Sequence, residues 1–138
     1  MAFLDTSVLV ASLDPDDPQH GVCDQLLSAG GHEAYAHALA EAFSVLTGGR
    51  LGRRVAPDLA SRLLEESILP FVKLRTLSER DTVAALRDSA ARGVRGGAVY
   101  DWLHLCAARK AKAEAFVTLN LRDFQALVRP GDPLVQAP

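Results

Sequence analysis

The 138-residue sequence predicts an α/β protein with a parallel sheet covered by helices on both faces. Three observations carry that expectation. Short apolar runs of strand length alternate with amphipathic runs of helix length. The composition, 49% apolar and 23% charged with 10 Gly and 7 Pro, is that of a globular chain. No internal repeat, linker or low-complexity tract divides it, so residues 1–138 are expected to form one domain. A chain of this length can bury roughly 68% of its unfolded surface.

Each element has a local reason. Met1 to Leu4 is a short apolar run ending at Asp5, a first buried strand. Ser7 to Leu13 is almost wholly apolar and suits a helix buried on most sides, with Asp5, Thr6 or Ser7 available as its cap. Asp14 to Pro18 is a polar break, and a helix from Gln19 to Ser28 stops at Gly30-Gly31. Glu33 to Tyr35 is a second strand. His37 to Leu46 is helical and closed by Gly48-Gly49. Arg50, Arg53 and Arg54 then form a basic loop. Pro57-Asp58 opens a helix with Leu59, Leu63, Leu64 and Ile68 at three- and four-residue steps, ended by Pro70. Phe71 to Leu74 is a third strand. Ser78 to Asp81 resembles a capping box, followed by Val83, Leu86 and Ala90 at helical spacing. After the glycine-rich loop Arg92 to Gly97, a helix spans about Ala98 to Lys112. Ala115 to Thr118 is a strand, Leu121 to Val128 a short helix, and Leu134-Val135 a last edge strand.

Charge and cysteine usage exclude several classes. Fifteen basic residues stand against 17 acidic ones, a net charge of −2. That argues against a strongly basic nucleic-acid-binding module and against an acidic disordered chain. Cys23 and Cys106 have neither CxxC spacing nor a His partner at zinc-finger distance, and they read as small buried hydrophobes of a reducing cytoplasm. No signal peptide and no membrane span is expected, since no apolar run approaches ~18 residues.

The chemistry is expected outside the carboxyl ends of the strands. Asp5 ends the first strand, Thr118 ends the strand from Ala115, and Asn120 and Asp123 follow in the next turn. Glu41 and Asp101 each sit among apolar or aromatic neighbours, where a lone carboxylate is expensive. Gathered carboxylates repel and take up protons unless a cation holds them. One explanation covers all four acids: Asp5, Glu41, Asp101 and Asp123 converge on a divalent ion. An all-oxygen site suits Mg²⁺ or Mn²⁺ and not zinc, and points to metal-assisted phosphodiester hydrolysis. Each acid also has a plainer reading. Asp5 and Asp101 can be helix caps, Glu41 can pair with Arg50, and Asp123 can be a first-turn acid. His104 shares a helix face with Asp101 and reads as a partly buried, hydrogen-bonded histidine. Tyr100 and Trp102 read as core or interface residues and not as base-stacking platforms. Arg53, Arg54, Arg92 and Arg95 can meet phosphates or stand as solvated loop residues.

Four segments in order carry a resemblance. They are Phe3 to Leu9, Ala38 to Leu46, Gly97 to His104 and Phe116 to Phe124. Together they resemble PIN-domain ribonucleases, most closely the VapC-type toxins of toxin–antitoxin pairs, over essentially the whole chain. The resemblance implies a PIN-like three-layer α/β/α sandwich with about five parallel strands. It implies Mg²⁺- or Mn²⁺-dependent cleavage of RNA, a homodimer, and silencing by a cognate VapB-type antitoxin. It maps the acidic set onto Asp5, Glu41, Asp101 and Asp123, with Asp5, Asp101 and Asp123 on the metal and Ser7, Thr118 and Asn120 as polar supports. Many relatives carry an acid two residues after the Thr, where this chain has Asn120; the acid comes at Asp123 instead. The rival reading is a PIN-like module that binds RNA or protein without cleaving. A haloacid dehalogenase-type phosphatase would need a second Asp where Ser7 stands. Setting the four acids aside leaves 13 acids against 15 bases, so near-neutral charge is compatible with an RNA substrate met at a local metal cleft.

Overall fold

A computed structural model describes residues 1–138. Five parallel strands form one sheet: β1 (Ala2–Leu4), β2 (His32–Tyr35), β3 (Val72–Arg75), β4 (Ala115–Val117) and β5 (Leu134–Gln136). Their order is β3-β2-β1-β4-β5, so the chain reverses its direction of winding at β1. Seven helices connect them: α1 (Thr6–Leu13), α2 (His20–Ser28), α3 (His37–Thr47), α4 (Pro57–Ser67), α5 (Glu79–Arg92), α6 (Ala98–Lys110) and α7 (Leu121–Leu127). All the elements expected from the sequence are present. Their ends differ by one or two residues; β4 stops at Val117 and α6 at Lys110. No helix is long and apolar enough to cross a membrane.

The pleat of β1 and β4 divides the core in two. Leu4 and Val117 face the layer built by α1 to α4, where Val8, Leu9, Cys23, Leu27, Ala42 and Ile68 pack. Phe3 and Phe116 face the opposite layer, with Trp102, Leu105, Phe124 and Leu127 from α6 and α7. Alternate side chains of one strand point to opposite faces, so two adjacent residues anchor two layers of helices. Phe3, Phe116 and Phe124 stack in succession, with ring centroids 6.1 and 4.5 Å apart.

In α4 the expected Leu64 and Ile68 are buried together with Ala60, while Leu59 is exposed; α5 turns a different face inward than its apolar spacing suggests. In α5 the inward residue is Ala85, and Val83 and Leu86 stand in solvent. Close approach of α5 to α6 needs a small residue at the contact, and Ala85 also gives its carbonyl to the buried Trp102 indole N–H at 2.8 Å. The capping box forms as read: the Asp81 amide donates to Ser78 Oγ at 3.0 Å and the Ser78 amide to Asp81 at 3.1 Å.

An ion cluster ties the last loop to the α5–α6 layer. Asp132, its side chain 3% exposed, accepts from Arg92, from Arg109 at 3.1 Å and from the Arg129 amide at 2.8 Å. Arg92 lies over the Trp102 ring, 4.6 Å from its centroid. Arg53 is likewise taken up, pairing with Asp14 at 3.2 Å and Asp16 at 3.3 Å. These two arginines, candidates for phosphate contact by sequence, are structural staples.

Burial by itself would raise the Asp132 carboxyl; Arg92, the Arg129 amide and Arg109 outweigh it and hold the group below the usual range. A depressed acid stabilises the fold above its unfolded pKa, and that contribution is lost as pH falls through the folded value. Asp132→Ala should cost about 3 kcal/mol at pH 7, because it strands two arginines at the indole. Urea unfolding checks this, and the gap between parent and variant should narrow below about pH 4.

Candidate active site at the carboxyl edge of the sheet

The winding reversal at β1 opens a crevice at the strand ends. A cavity of about 740 Å³ occupies it, lined among others by Asp5, Thr6, Ser7, His37, Glu41, Arg50, Tyr100, Asp101 and Asn120.

Asp5 follows β1 directly and is 4% exposed. It is the residue before α1, but its side chain makes no capping bond. Its amide instead continues the sheet, donating to the Val117 carbonyl at 3.0 Å. Its carboxylate accepts from Ser7 Oγ at 2.7 Å and from Thr118 Oγ1 at 2.8 Å. Both land on Oδ2, and Oδ1 takes no protein donor. The same two hydroxyls accept from the backbone beyond β4: Leu119 N–H to Ser7 Oγ at 3.0 Å and Asn120 N–H to Thr118 Oγ1 at 2.9 Å. Each hydroxyl thus passes the acid's charge to an amide, and the end of β4 is fastened to the end of β1.

Glu41 lies on α3, half-buried. Thr6 Oγ1 donates to its Oε2 at 2.8 Å and His104 Nε2–H to its Oε1 at 3.0 Å, with His37 Nε2 at 3.8 Å. The carboxylate acceptor requires the proton on His104 Nε2; Nδ1 of that ring is buried without a partner. Burial works to raise the Glu41 carboxyl, but His104, Thr6 and His37 together bring it below the usual value. Glu41 pairs with these histidines and not with Arg50.

Asp101 sits in the first turn of α6, whose cap is Gly97. It has no cationic partner of its own. Burial, and then the negative charges of Asp5, Asp123 and Glu41, push its carboxyl up to about 6, with His104 opposing. An acid with that proton affinity resembles a histidine, whose ordinary pKa is ≈ 6.5.

Asp123 is placed differently from the other three. It is exposed in the first turn of α7 and does not line the cavity, although its charge reaches Asp101. No three His, Cys, Asp or Glu side chains come together as a group that could hold a metal ion, so the expected convergence of Asp5, Glu41, Asp101 and Asp123 on one point is not what the structure shows. The carboxylates form an open set, with Asp5 and Asp101 in the cavity, Glu41 held at its wall by hydrogen bonds, and Asp123 at the margin. An open set of oxygen donors suits a hard cation that keeps much of its water and uses one or two carboxylates. The raised Asp101 carboxyl is the matching electrostatic sign: its burial and its acidic neighbours outweigh the opposing His104.

Some lining residues carry no signal of their own in the sequence. Thr6 adjoins Asp5, and His37 precedes Glu41 by four residues on the same helical face. Tyr100 adjoins Asp101 but is 56% exposed at the cavity, not a core residue like the fully buried Trp102. Arg50 reaches the cavity because α3 ends sharply at Gly48, where a Cβ would stand 2.7 Å from the Ser44 carbonyl oxygen.

The PIN domain family model matches residues 2–129. Ribonuclease VapC27 of Mycobacterium tuberculosis is 46% identical over 92 residues, 65% of this chain and 61% of that protein, so the chain spans less than two thirds of this relative's length. The crystal structure of VapC20 from Mycobacterium tuberculosis, a sarcin-ricin loop cleaving toxin, superposes with a TM-score of 0.71 at 18% identity, covering 96% of this chain and all of that one. VapBC2 from Rickettsia felis, solved bound to a DNA fragment from its promoter, gives 0.64 at 16% identity over 99% and 98% of the two chains. The five parallel strands in this order, the helices on both faces and the match along nearly the whole sequence make the chain a member of the PIN-domain family.

Proposed function

We propose that this protein is a Mg²⁺- or Mn²⁺-dependent endoribonuclease, the toxin of a VapBC-type pair, acting as a homodimer and held silent by a VapB-type antitoxin. One observation carries the reading: Asp5, Glu41 and Asp101, from β1's end, α3 and α6, line one cavity at the carboxyl edge of the sheet, where a substrate can enter. Likeness to a protein named as a ribonuclease supports the reaction class.

The cation, when bound, supplies Lewis acidity toward a phosphoryl oxygen and toward water. The protein's own residues set its position. Asp5 is locked by two hydroxyls through one oxygen and presents the other to the cavity. Asp101, pushed up to about 6 by burial and then by Asp5, Asp123 and Glu41, would be a carboxylate near neutral pH and would offer that charge to the cation. Glu41 accepts one hydrogen bond on each oxygen, from Thr6 and from His104, and so ties α3 to α1 and α6. Arg50, exposed at the cavity, offers a fork to an incoming phosphate.

Asp5→Asn and Asp101→Asn should each lower Mn²⁺-supported RNA cleavage by about 10²-fold or more, and chelation should abolish it in the parent. Ser7→Ala, which removes one of the two locks on Asp5, should cost roughly 10–100-fold. Gel assays on total RNA read both; unchanged cleavage in the Asp variants would sink the proposal.

The same site makes a prediction on stability. An acid whose folded pKa is raised costs stability once both states are ionised, and the cost vanishes below the unfolded pKa. Metal-free Asp101→Asn should therefore be more stable than the parent at pH 7, by on the order of 1 kcal/mol after solvent screening. The advantage should fade between about pH 6 and pH 4. Adding Mn²⁺ should raise the melting temperature of the parent and leave that of the variant unchanged, as differential scanning fluorimetry would read.

A further inference from the structure

Four rings run from the protein interior to the cavity mouth. His104 is fully buried. Tyr35 meets it edge-on at 5.3 Å, His37 follows at 6.0 Å from Tyr35, and Tyr100 ends the series 6.2 Å from His37 with the two rings only 12° from parallel. The outer pair stands open. Tyr100 is the most exposed aromatic side chain of the molecule at 56%, and the His37 side chain is 48% exposed. Both line the carboxylate cavity, from separate helices, and Tyr100 is adjacent to Asp101. His37 is also steadied by Glu41, 3.8 Å from its Nε2. A ring backed by three others and steadied by a carboxylate is a stiff platform, and its open end lies where a substrate's reacting group must come.

Resting on the nuclease reading, we infer that the Tyr100–His37 pair is a nucleobase-binding site, on which a base next to the scissile phosphate stacks. Every base has a π-face, so stacking on aromatic rings binds without hydrogen-bond readout. Arg50, on the same cavity, suits the neighbouring phosphate and not the base. A protein partner covering Tyr100 is the competing explanation, and the test separates the two.

The experiment measures binding by fluorescence anisotropy with the metal chelated, for a short labelled oligoribonucleotide and for a backbone of equal length without bases. Tyr100→Leu should weaken binding to the oligoribonucleotide about tenfold, the size of one lost stacking contact, and leave binding to the abasic backbone unchanged. Tyr100→Phe keeps the ring and should bind within about twofold of the parent. The inference is overturned if Tyr100→Leu binds RNA as the parent does, if it loses both ligands equally, or if Tyr100→Phe loses as much as Leu. If RNA affinity is unchanged while sedimentation shows Tyr100→Leu shifted toward monomer, the ring serves a protein contact instead. If the parent binds neither ligand and cleaves no RNA, the nuclease reading itself has failed; binding by the parent together with a silent Tyr100→Leu defeats only the stacking site.

Discussion

Burial of carboxylates near one another is the constraint around which this site is arranged. Asp5, Glu41 and Asp101 are drawn to one edge of the sheet with Asp123 at its margin, and Asp101, which has no cationic partner of its own, is pushed up first by burial and then by its acidic neighbours. Nothing local to these residues favours such a gathering. It is imposed by the sheet, whose β1 and β4 lie side by side, and by α3 and α6, which the core packs against the strand ends. Folding free energy from apolar burial is spent on holding charges together.

The acids are supported unequally, and the inequality divides their roles. Asp5 is buried and doubly hydrogen-bonded, so its position is fixed. Glu41 accepts from Thr6 and His104, one on each oxygen, which fixes its place at the wall of the site. Asp101 is held by helix geometry alone and is left with its proton affinity raised. Asp123 stands in solvent and acts from a distance. The site thus sets a rigid, doubly hydrogen-bonded acid beside one whose proton affinity is raised.

Arginine shows the same economy. Arg92 and Arg109 meet Asp132 around the Trp102 indole, and Arg53 meets Asp14 and Asp16. Pairing removes these cations from the field at the cavity. Arg50 has no carboxylate partner and is the basic side chain that lines it. Net charge near zero thus coexists with an uncommitted arginine at the cavity.

The order of strands and helices was legible in the sequence because apolar periodicity and turn chemistry are local properties. Short β-type runs separated by helical repeats leave few topologies, and the acid at the end of β1 marks the active edge. Asp5, Glu41 and Asp101 were also legible, since a carboxylate among apolar neighbours needs an explanation wherever the chain goes. What tertiary structure alone decided is who partners whom. That Thr118 and Ser7 share one oxygen of Asp5, across 111 residues, depends on the register of β1 against β4. Tyr100 and Trp102 lie two apart in one helix, yet one is exposed at the cavity and the other has no exposed surface, because only the packing of α6 on α5 and the sheet fixes its rotation. The arginines were ambiguous for the same reason: a long charged side chain takes whichever partner the fold brings near, and sequence spacing does not encode that distance.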